Sequence, residues 1–452
     1  MKLRTVLLVF FVTLFLKGDL IFSGDYKMVN GNVLVICVDS LRADHLGCYG
    51  YDRDTSPCID KVANDGVLFT NAISQAPWTK PSVASLFTSM YMSVHNVLYG
   101  YRDTKDYAIS CRMSNDIVTI AEILKIHGYA TAGFGQKLHL RKEFGFKQGF
   151  DLLKMGLGKS SNINNNVISW LHKRQPDKFF LYIHYDDAHF PYTPQDKFKM
   201  YDVYKSNANV TGENFKSIRN GEIKLSKEDI NHIIASYDGE IKCVDEKIGL
   251  LLKQLDGMGY GNNTLVIILA DHGDEFMEHG GVAHGHTLYE ELIRVPLIMK
   301  GPSIPKKTQI SGLAQCIDIA PTILDILDLQ PDKEMEGRSL VPLILRGEEV
   351  QDAVYSERKN YNGEFLRVIR TKKWKLIKDF DTKQTLLFDL ENDPGEITNV
   401  RDRYPKITAD LELRLSEWLN REKARVNKTQ FKGTIRIDEA TKERLKSLGY
   451  AN

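Results

Sequence analysis

Three stretches of the chain, residues 33–38, 179–183 and 265–270, are apolar without interruption. Short runs of this kind, rich in β-branched residues, have no polar face, which predicts strands covered on both sides in a parallel sheet. Between and after them apolar positions recur at helical spacing, over 117–127, 226–255 and 317–329. The second of these opens on Ser226 with Asp229 three residues later, a capping pair, and the third opens on Asp318 and Pro321. Strands alternating with helices predict an α/β fold built on a doubly wound, mostly parallel sheet. Beyond about residue 345 the segments shorten: 366–370, 374–377 and 386–390 read as antiparallel strands, and 404–423 as an amphipathic helix. The expected organisation is a large unit over 28–345 and a small C-terminal α+β subdomain over 346–452.

The first residues do not belong to that pattern. Lys2 and Arg4 precede an apolar stretch over 5–16, which Lys17 and Gly18 end. A span needs about 20 residues, so this stretch predicts a secretory signal, with Ser23-Gly24 offering small residues for cleavage. The alternative is a single uncleaved N-terminal anchor. Either places the protein outside the cytoplasm, periplasmic or extracellular. The six cysteines, at 37, 48, 58, 111, 243 and 316, show no paired metal-binding spacing. Export permits disulfides, but pairing cannot be deduced, and Cys37 and Cys243 are expected to be buried. A net charge of +1 gives no global case for nucleic acid or an anionic surface.

Candidate chemistry gathers where strands end. The run over 265–270 leads straight into Asp271-His272-Gly273-Asp274-Glu275, followed by Glu278, His279, His284 and His286. Ligands in open α/β sheets bind beyond the carboxyl ends of strands, so this segment is either half of a metal site or a polar loop capping a strand. The first strand also ends in an acid, Asp39. Asp39, Asp271 and His272 could share one divalent cation, and oxygen ligands with an imidazole suit zinc, manganese or magnesium better than calcium. Asp44 and His45 are expected to be solvated. In the segment over 76–88, Pro81 marks a helix start. Thr79 there either caps the helix or is a hydroxyl that a metal activates as a nucleophile. A helix N-terminus also favours phosphate or sulfate oxygens.

In order and spacing, these segments resemble the sulfatase branch of the alkaline phosphatase superfamily. The resemblance runs from about residue 32 to 394. It rests on NVLVICVDSLRADHLGCYGY, on TSPCIDKVANDGVLFTNAISQAPWTKPSVASLFT and on FLYIHYDDAHFPYTP. It rests further on LADHGDEFMEHGG with HGHTLYEELIRVPLI, on DIAPTILDIL and on the C-terminal TKKWKLIKDF and LFDLENDPGE. It implies an alkaline phosphatase-like fold and ester hydrolysis, with Asp39, Asp271 and His272 as metal ligands and Thr79 at the nucleophile position. His189 corresponds to an active-site histidine that would bind the substrate oxyanion or protonate the leaving oxygen. His284, with His286 as alternative, lies at a family position for a basic residue, and Lys137 and His139 in GQKLHL resemble a segment supplying a Lys and a His.

Three departures matter. Typical sulfatases carry a Cys or Ser at the nucleophile, oxidised to formylglycine; threonine cannot take that path, so no formylglycine is expected. Val83 stands at the motif's Arg position and Ser40 where many sulfatases carry another metal-binding Asp. His272 replaces a frequent Asn, and Thr with Asp-His is similar to phosphodiesterase and phosphoethanolamine-transferase relatives that attack phosphorus with a metal-bound threonine. One metal is favoured, since Asp186, Asp187, His189 and His284 do not reproduce the spacing of two-zinc relatives. The leading expectation is a metal-dependent hydrolase of sulfuric or phosphoric esters carried by a small molecule, glycan or lipid. The alternatives are a phosphoethanolamine-type transferase, which the single short apolar segment disfavours, and an inactive binding homologue, which the intact metal-type residues disfavour. Residues 200–225 are expected to form part of the substrate mouth.

Overall fold

The three apolar runs lie at the centre of one sheet. The structure, a computed structural model, describes residues 26–98, 102–103, 108–204, 206, 210–359, 365–429 and 435–437. The expected leader over 1–24 lies outside the described residues. Eight strands form the main sheet: β1 Asn32–Val38, β2 Val67–Ile73, β3 Ala130–Gly135, β4 Leu152–Met155, β5 Phe179–Tyr185, β6 Thr264–Leu269, β7 Arg294–Lys300 and β8 Thr308–Gln315. Their order is β8-β2-β7-β6-β1-β5-β3-β4. Only β7 runs against the rest, antiparallel to both β6 and β2; the other pairs are parallel.

All residues of β1, β5 and β6 are buried, as uninterrupted apolar runs require. Each fully buried Val, Leu or Ile side chain there contributes about 1.5–3 kcal/mol. The principal helices are α1 Pro57–Asn64, α2 Thr79–Thr88, α3 Ile120–Ile126, α4 Ser160–Arg174, α5 Lys227–Gly257, α6 Ile319–Ile326 and α7 Pro405–Thr429. Val83 and Phe87 of α2, Ile120 of α3, Val167 of α4, Val244 of α5 and Ile323 of α6 join the strands in one core. The expected caps are present: Ser226 accepts from the Asp229 amide at 3.1 Å, and the Asp229 carboxylate accepts from the Ser226 amide at 2.9 Å. Helix α3 is shorter than its apolar pattern, because Thr119 caps it through the Glu122 amide. Likewise, the third pattern begins with a single tight turn over Cys316–Asp318 before α6.

A second, antiparallel sheet contains β9 Val354–Lys359, β10 Phe365–Arg370, β11 Trp374–Asp379 and β12 Thr385–Asp389 in sequential order. Its side chains alternate between two covered faces. Val368, Ile377 and Phe388 pack on Ile73, Leu288, Leu292 and Leu313 of the main body. Ile369, Leu376 and Leu387 pack on Leu411, Leu415 and Trp418 of α7. Cys37 and Cys243 are buried, as expected. Among the described residues, no helix is long and apolar enough to cross a membrane.

Helix α7 also carries a buried acid. Burial and the neighbouring Glu336 carboxylate push the Glu422 carboxyl from 4.5 up to about 9. As pH rises through that window the unfolded chain releases the proton before the folded one does, so stability falls. Glu422→Gln removes this loss. It is expected to raise the melting temperature at pH 8 by roughly a few degrees and to change it little at pH 4, read by thermal denaturation at both pH values.

Candidate active site

Parallel registry brings the carboxyl ends of β6, β1, β5 and β3 to one edge. Cys37 pairs with His184 on one side and Leu269 on the other, so the residues that follow β1 and β6 emerge next to each other. The Asp39 amide continues the ladder to the Tyr185 carbonyl at 2.9 Å. Ser40 then takes a left-handed backbone, φ 58°, a conformation that costs a non-glycine residue about 1 kcal/mol or more. The turn aims the Ser40 amide at Asp271 Oδ1, 3.3 Å away, while its hydroxyl donates to Asp39 Oδ1 at 3.1 Å. The Tyr237 hydroxyl of α5 holds the turn by donating to the Ser40 carbonyl at 2.7 Å.

Thr79 is the first residue of α2, after Trp78 in extended backbone. Every residue of this helix is buried. Its entry is tied to the Asp271 loop through Ser74, whose hydroxyl donates to the Asp271 carbonyl and lies 3.2 Å from Ser82 Oγ. The small sheet buttresses that entry: the Ser356 hydroxyl donates to the Ser74 carbonyl at 2.5 Å and the Glu357 amide to the Gln75 carbonyl at 2.9 Å. The Thr79 hydroxyl donates to Asp39 Oδ2 at 3.2 Å and lies 3.4 Å from His272 Nε2. His272 donates from Nδ1 to the Gly273 carbonyl at 2.9 Å, which turns Nε2 toward the carboxylates.

The remaining expected residues gather around this centre. Lys137 Nζ, just beyond β3, lies 3.1 Å from Asp39 Oδ2 and 2.7 Å from Asp186 Oδ1. His139 is buried on the same turn. The His284 ring lies tilted against two others, with centroids 4.3 Å from His272 and 4.9 Å from His189. His284 Nδ1 meets Asp274 Oδ1 at 2.6 Å, and His189 Nδ1 donates to the Phe190 carbonyl at 2.5 Å. His284 is thus the histidine brought to the centre, whereas His286 pairs with Glu275 at 2.6 Å. Asp187 turns away toward Ser160 and Cys243. Asp44 is exposed and paired with Arg42. His45 is not solvated as expected: it is buried, held by Asp238 at 2.7 Å, because its short turn packs under α5.

Sequence reasoning passed over His184, which reaches the centre from inside β5. Its signal was a lone imidazole in an otherwise apolar or aromatic strand. In the 200–225 segment, Arg219 donates to the Val282 carbonyl at 2.9 Å, and Arg358 donates to the Gly285 carbonyl at 2.9 Å. Two guanidiniums therefore hold the backbone on either side of His284.

Electrostatics makes the centre cation-seeking. Burial opposes charge on Asp39, but the Lys137 ammonium and the His189 and His272 imidazoles outweigh it, and its carboxyl stays well below the usual range. Burial would lower His272, yet Asp271 and Asp39 raise it to about 9. Asp186 is pushed up to about 7 by burial, against Lys137 and with Asp39. Burial drives His189, His284 and His139 well below the ordinary histidine value. Donor atoms of Asp39, Asp271 and His272 lie within 4.8 Å of one another. Asp271 Oδ2 is buried with no hydrogen-bond partner. A dry, unpaired carboxylate oxygen is costly, and a divalent ion between these donors fits it.

The sulfatase family profile matches residues 31–329, and a profile described as N-sulphoglucosamine sulphohydrolase, C-terminal, matches 278–423. The chain belongs to the sulfatase family, whose members hydrolyse ester bonds. It is similar to a Delta 4,5-hexuronate-2-O-sulfatase of Bacteroides thetaiotaomicron, 26% identical over 438 residues that cover 87% of this chain and 89% of the relative. An arylsulfatase of Clostridium perfringens is 28% identical over 444 residues, covering 82% and 90%. The fold is shared with the phosphonate monoester hydrolase of Agrobacterium radiobacter at a TM-score of 0.72 and 22% identity, over 90% of this chain and 100% of that one.

The turn that presents Asp271 and His272 depends on Gly273. A Cβ there would stand 2.0 Å from the Glu291 carbonyl oxygen, and the Gly273 amide donates to the Leu292 carbonyl at 2.9 Å. Backbone on both sides leaves nothing flexible to yield. Gly273→Ala is expected to destabilise the protein by at least about 2 kcal/mol, measured by equilibrium denaturation.

Proposed function

We propose that the protein is a metal-dependent ester hydrolase with Thr79 as nucleophile, acting on phosphorus esters faster than on sulfate esters. The observation that carries this reading is the Thr79 hydroxyl at a helix start, 3.2 Å from Asp39 Oδ2 and 3.4 Å from His272 Nε2. Asp39, Asp271 and His272 would hold one divalent ion, with Thr79 Oγ1 beside it. Such an ion polarises the ester and lowers the pKa of a neighbouring alcohol.

The chain's own groups supply the rest. Asp39 accepts the Thr79 hydrogen bond and so points an oxygen lone pair away from itself, toward the incoming ester. Backbone amides at the start of α2 favour the substrate's anionic oxygens. Lys137 balances Asp39 and Asp186 beside the reacting group. His189 has Nδ1–H committed to the Phe190 carbonyl, so Nε2 is the nitrogen it presents, and only its protonated form would donate a proton from there to the leaving oxygen. A threonine ester has no second hydroxyl on Cβ through which to expel sulfate, the feature that favours phosphorus, where water attacks the intermediate directly. An ester on a glycan or small molecule fits the sulfatase relatives, and the pattern over 1–24 supports export, as a cleaved leader or a single anchor.

The test is one assay of purified protein, with bound metals quantified, against an aryl sulfate, a phosphate monoester, a phosphodiester and a phosphonate ester. Phosphorus esters are expected to dominate; clear aryl sulfatase activity with little phosphorus-ester turnover overturns that preference. Thr79→Ala is expected to lower kcat by about 10³-fold with KM nearly unchanged, and Thr79→Ser to keep most of the activity. Turnover that survives Thr79→Ala removes Thr79 as the nucleophile.

A further inference from the structure

Water that releases a threonine ester must give up a proton as it attacks. Three imidazoles lie in a row at the centre, His272, His284 and His189. His272 and His189 each commit Nδ1 to a backbone carbonyl, of Gly273 and of Phe190. A carbonyl orients a ring but carries no charge to balance an imidazolium. His284 commits Nδ1 to a carboxylate instead, Asp274 Oδ1 at 2.6 Å. It is also the one of the three that solvent reaches: its side chain is 10% exposed, whereas His189 and His272 are buried.

Several features of the fold converge on that pair. Glu275–Phe276 and Val282–Ala283 pair antiparallel with Ala283 opposite Glu275, so the next step of the register sets His284 beside Asp274. Ala283 and Gly285, on either side of His284, are both left-handed, φ 62° and 82°, which bends the chain sharply at the ring. For Ala283 that backbone is disfavoured by its Cβ, and such positions cluster at functional sites. Asp274 is fully buried. The Tyr192 hydroxyl donates to its Oδ2, and Arg42 Nη1 donates to its carbonyl at 3.0 Å. Tyr192 packs edge-on against Tyr237 and Phe276, with centroids 5.3 and 6.0 Å away. The carboxylate is therefore fixed at one oxygen by Tyr192 and turns the other to His284.

We propose that Asp274 is a positioning residue for His284, and that His284 is the base for the water that releases the Thr79 ester. The inference rests on the reading of Thr79 as nucleophile and adds the second half of its reaction. In-line displacement at phosphorus brings the water in on the face from which the leaving oxygen departed. That is the side assigned to His189, and the His284 ring lies against His189 with centroids 4.9 Å apart. The water oxygen bonds to phosphorus, its proton passes to His284 Nε2, and the bond from phosphorus to Thr79 Oγ1 breaks with its electron pair going to Oγ1. Asp274 holds Nδ1–H throughout and balances the imidazolium, as the carboxylate of a nucleophile–histidine–carboxylate triad does. Thr79 Oγ1 then takes up a proton and the imidazolium releases one, which restores both groups.

The test is rapid mixing of the full-length protein, with its metal bound, with a 4-nitrophenyl ester. The probe is whichever of 4-nitrophenyl phosphate, bis(4-nitrophenyl) phosphate and 4-nitrophenyl phenylphosphonate the native protein turns over fastest. The first step releases nitrophenolate, and the second limits the steady rate when the ester accumulates. In Asp274→Asn the amide oxygen still accepts from Nδ1, but the charge is gone. A burst of about one equivalent is expected at a rate within a few-fold of the native first step. The steady rate after it falls about 10²-fold or more, with the phosphorus group found on Thr79 by peptide mass spectrometry. His284→Asn is expected to do the same, and the double variant to be no slower than His284→Asn alone, since the two act as a unit. If Asp274→Asn does not fold, His284→Asn carries the readout. Burst and steady rates that fall together, or a steady rate near native, overturn the assignment and leave the proposed function standing. A phosphorus group on a residue other than Thr79, or no native turnover of any of the three esters, overturns both.

Discussion

Two carboxylates buried side by side, Asp39 and Asp271, are the constraint on which the rest of the site depends. At an effective dielectric near 20, two such charges about 4 Å apart repel by roughly 4 kcal/mol, and burial strips both of water. Nothing in the apolar sheet beneath them can offset that. Every polar feature nearby is a response to it: the left-handed turn that aims the Ser40 amide at Asp271, the Lys137 ammonium on Asp39, and the imidazoles facing both. Such a cluster, with one carboxylate oxygen lacking a hydrogen-bond partner, is one that could hold a cation.

That arrangement has to be held rigidly, and the holding comes from distant parts of the chain. The entry to α2 is fastened at Ser74, which bonds forward to Asp271 and is itself bonded by Ser356 of the small sheet. The small sheet is apolar on both faces, so it is clamped between the main body and α7. Its contribution to the site is mechanical: it fixes where Thr79 stands relative to Asp39. On the proposed reading, mistakes of a fraction of an ångström there would matter, because in-line attack needs reacting atoms about 3–3.5 Å apart.

The central strands were legible in the sequence because both of their faces are covered, which writes itself as unbroken apolar runs. The strands that were not read have mixed environments. β2 carries half-buried Thr70 and Asn71, β7 is broken by Pro296, β3 is built of Ala, Gly and Thr with one Phe, and β4 and β8 lie at the sheet edges. Within the site, Asp39, Asp271 and His272 were visible as polar residues directly after apolar strands, and Thr79 by its place before Pro81. Lys137, His139 and His189 were reachable only through resemblance, since their loops meet through the fold and not through spacing, and His284 was visible only as one of several histidines after the strand. His184 was hidden for the opposite reason: it sits inside a strand whose apolar character is its strongest signal. His45 was misjudged because a charged-looking turn gives no hint that a 31-residue helix lies over it.

The fold does not decide between sulfur and phosphorus. The same architecture is shared with sulfatases and with a phosphonate monoester hydrolase, and both kinds of ester present a tetrahedral, anionic centre of similar size. The difference must therefore reside in a few atoms at the reacting position. A hydroxyl on a carbon that also bears a methyl group can attack and form an ester, but it offers no second oxygen for breaking that ester down from the protein side. Release then depends on water reaching the central atom. An imidazole at 272, where a side-chain amide could serve calcium, would favour, in the proposed metal centre, ions that bind nitrogen and activate oxygen strongly. On the proposed reading the nucleophile and the metal bear on the same step, and each makes the other's departure from the usual sulfatase pattern chemically consistent.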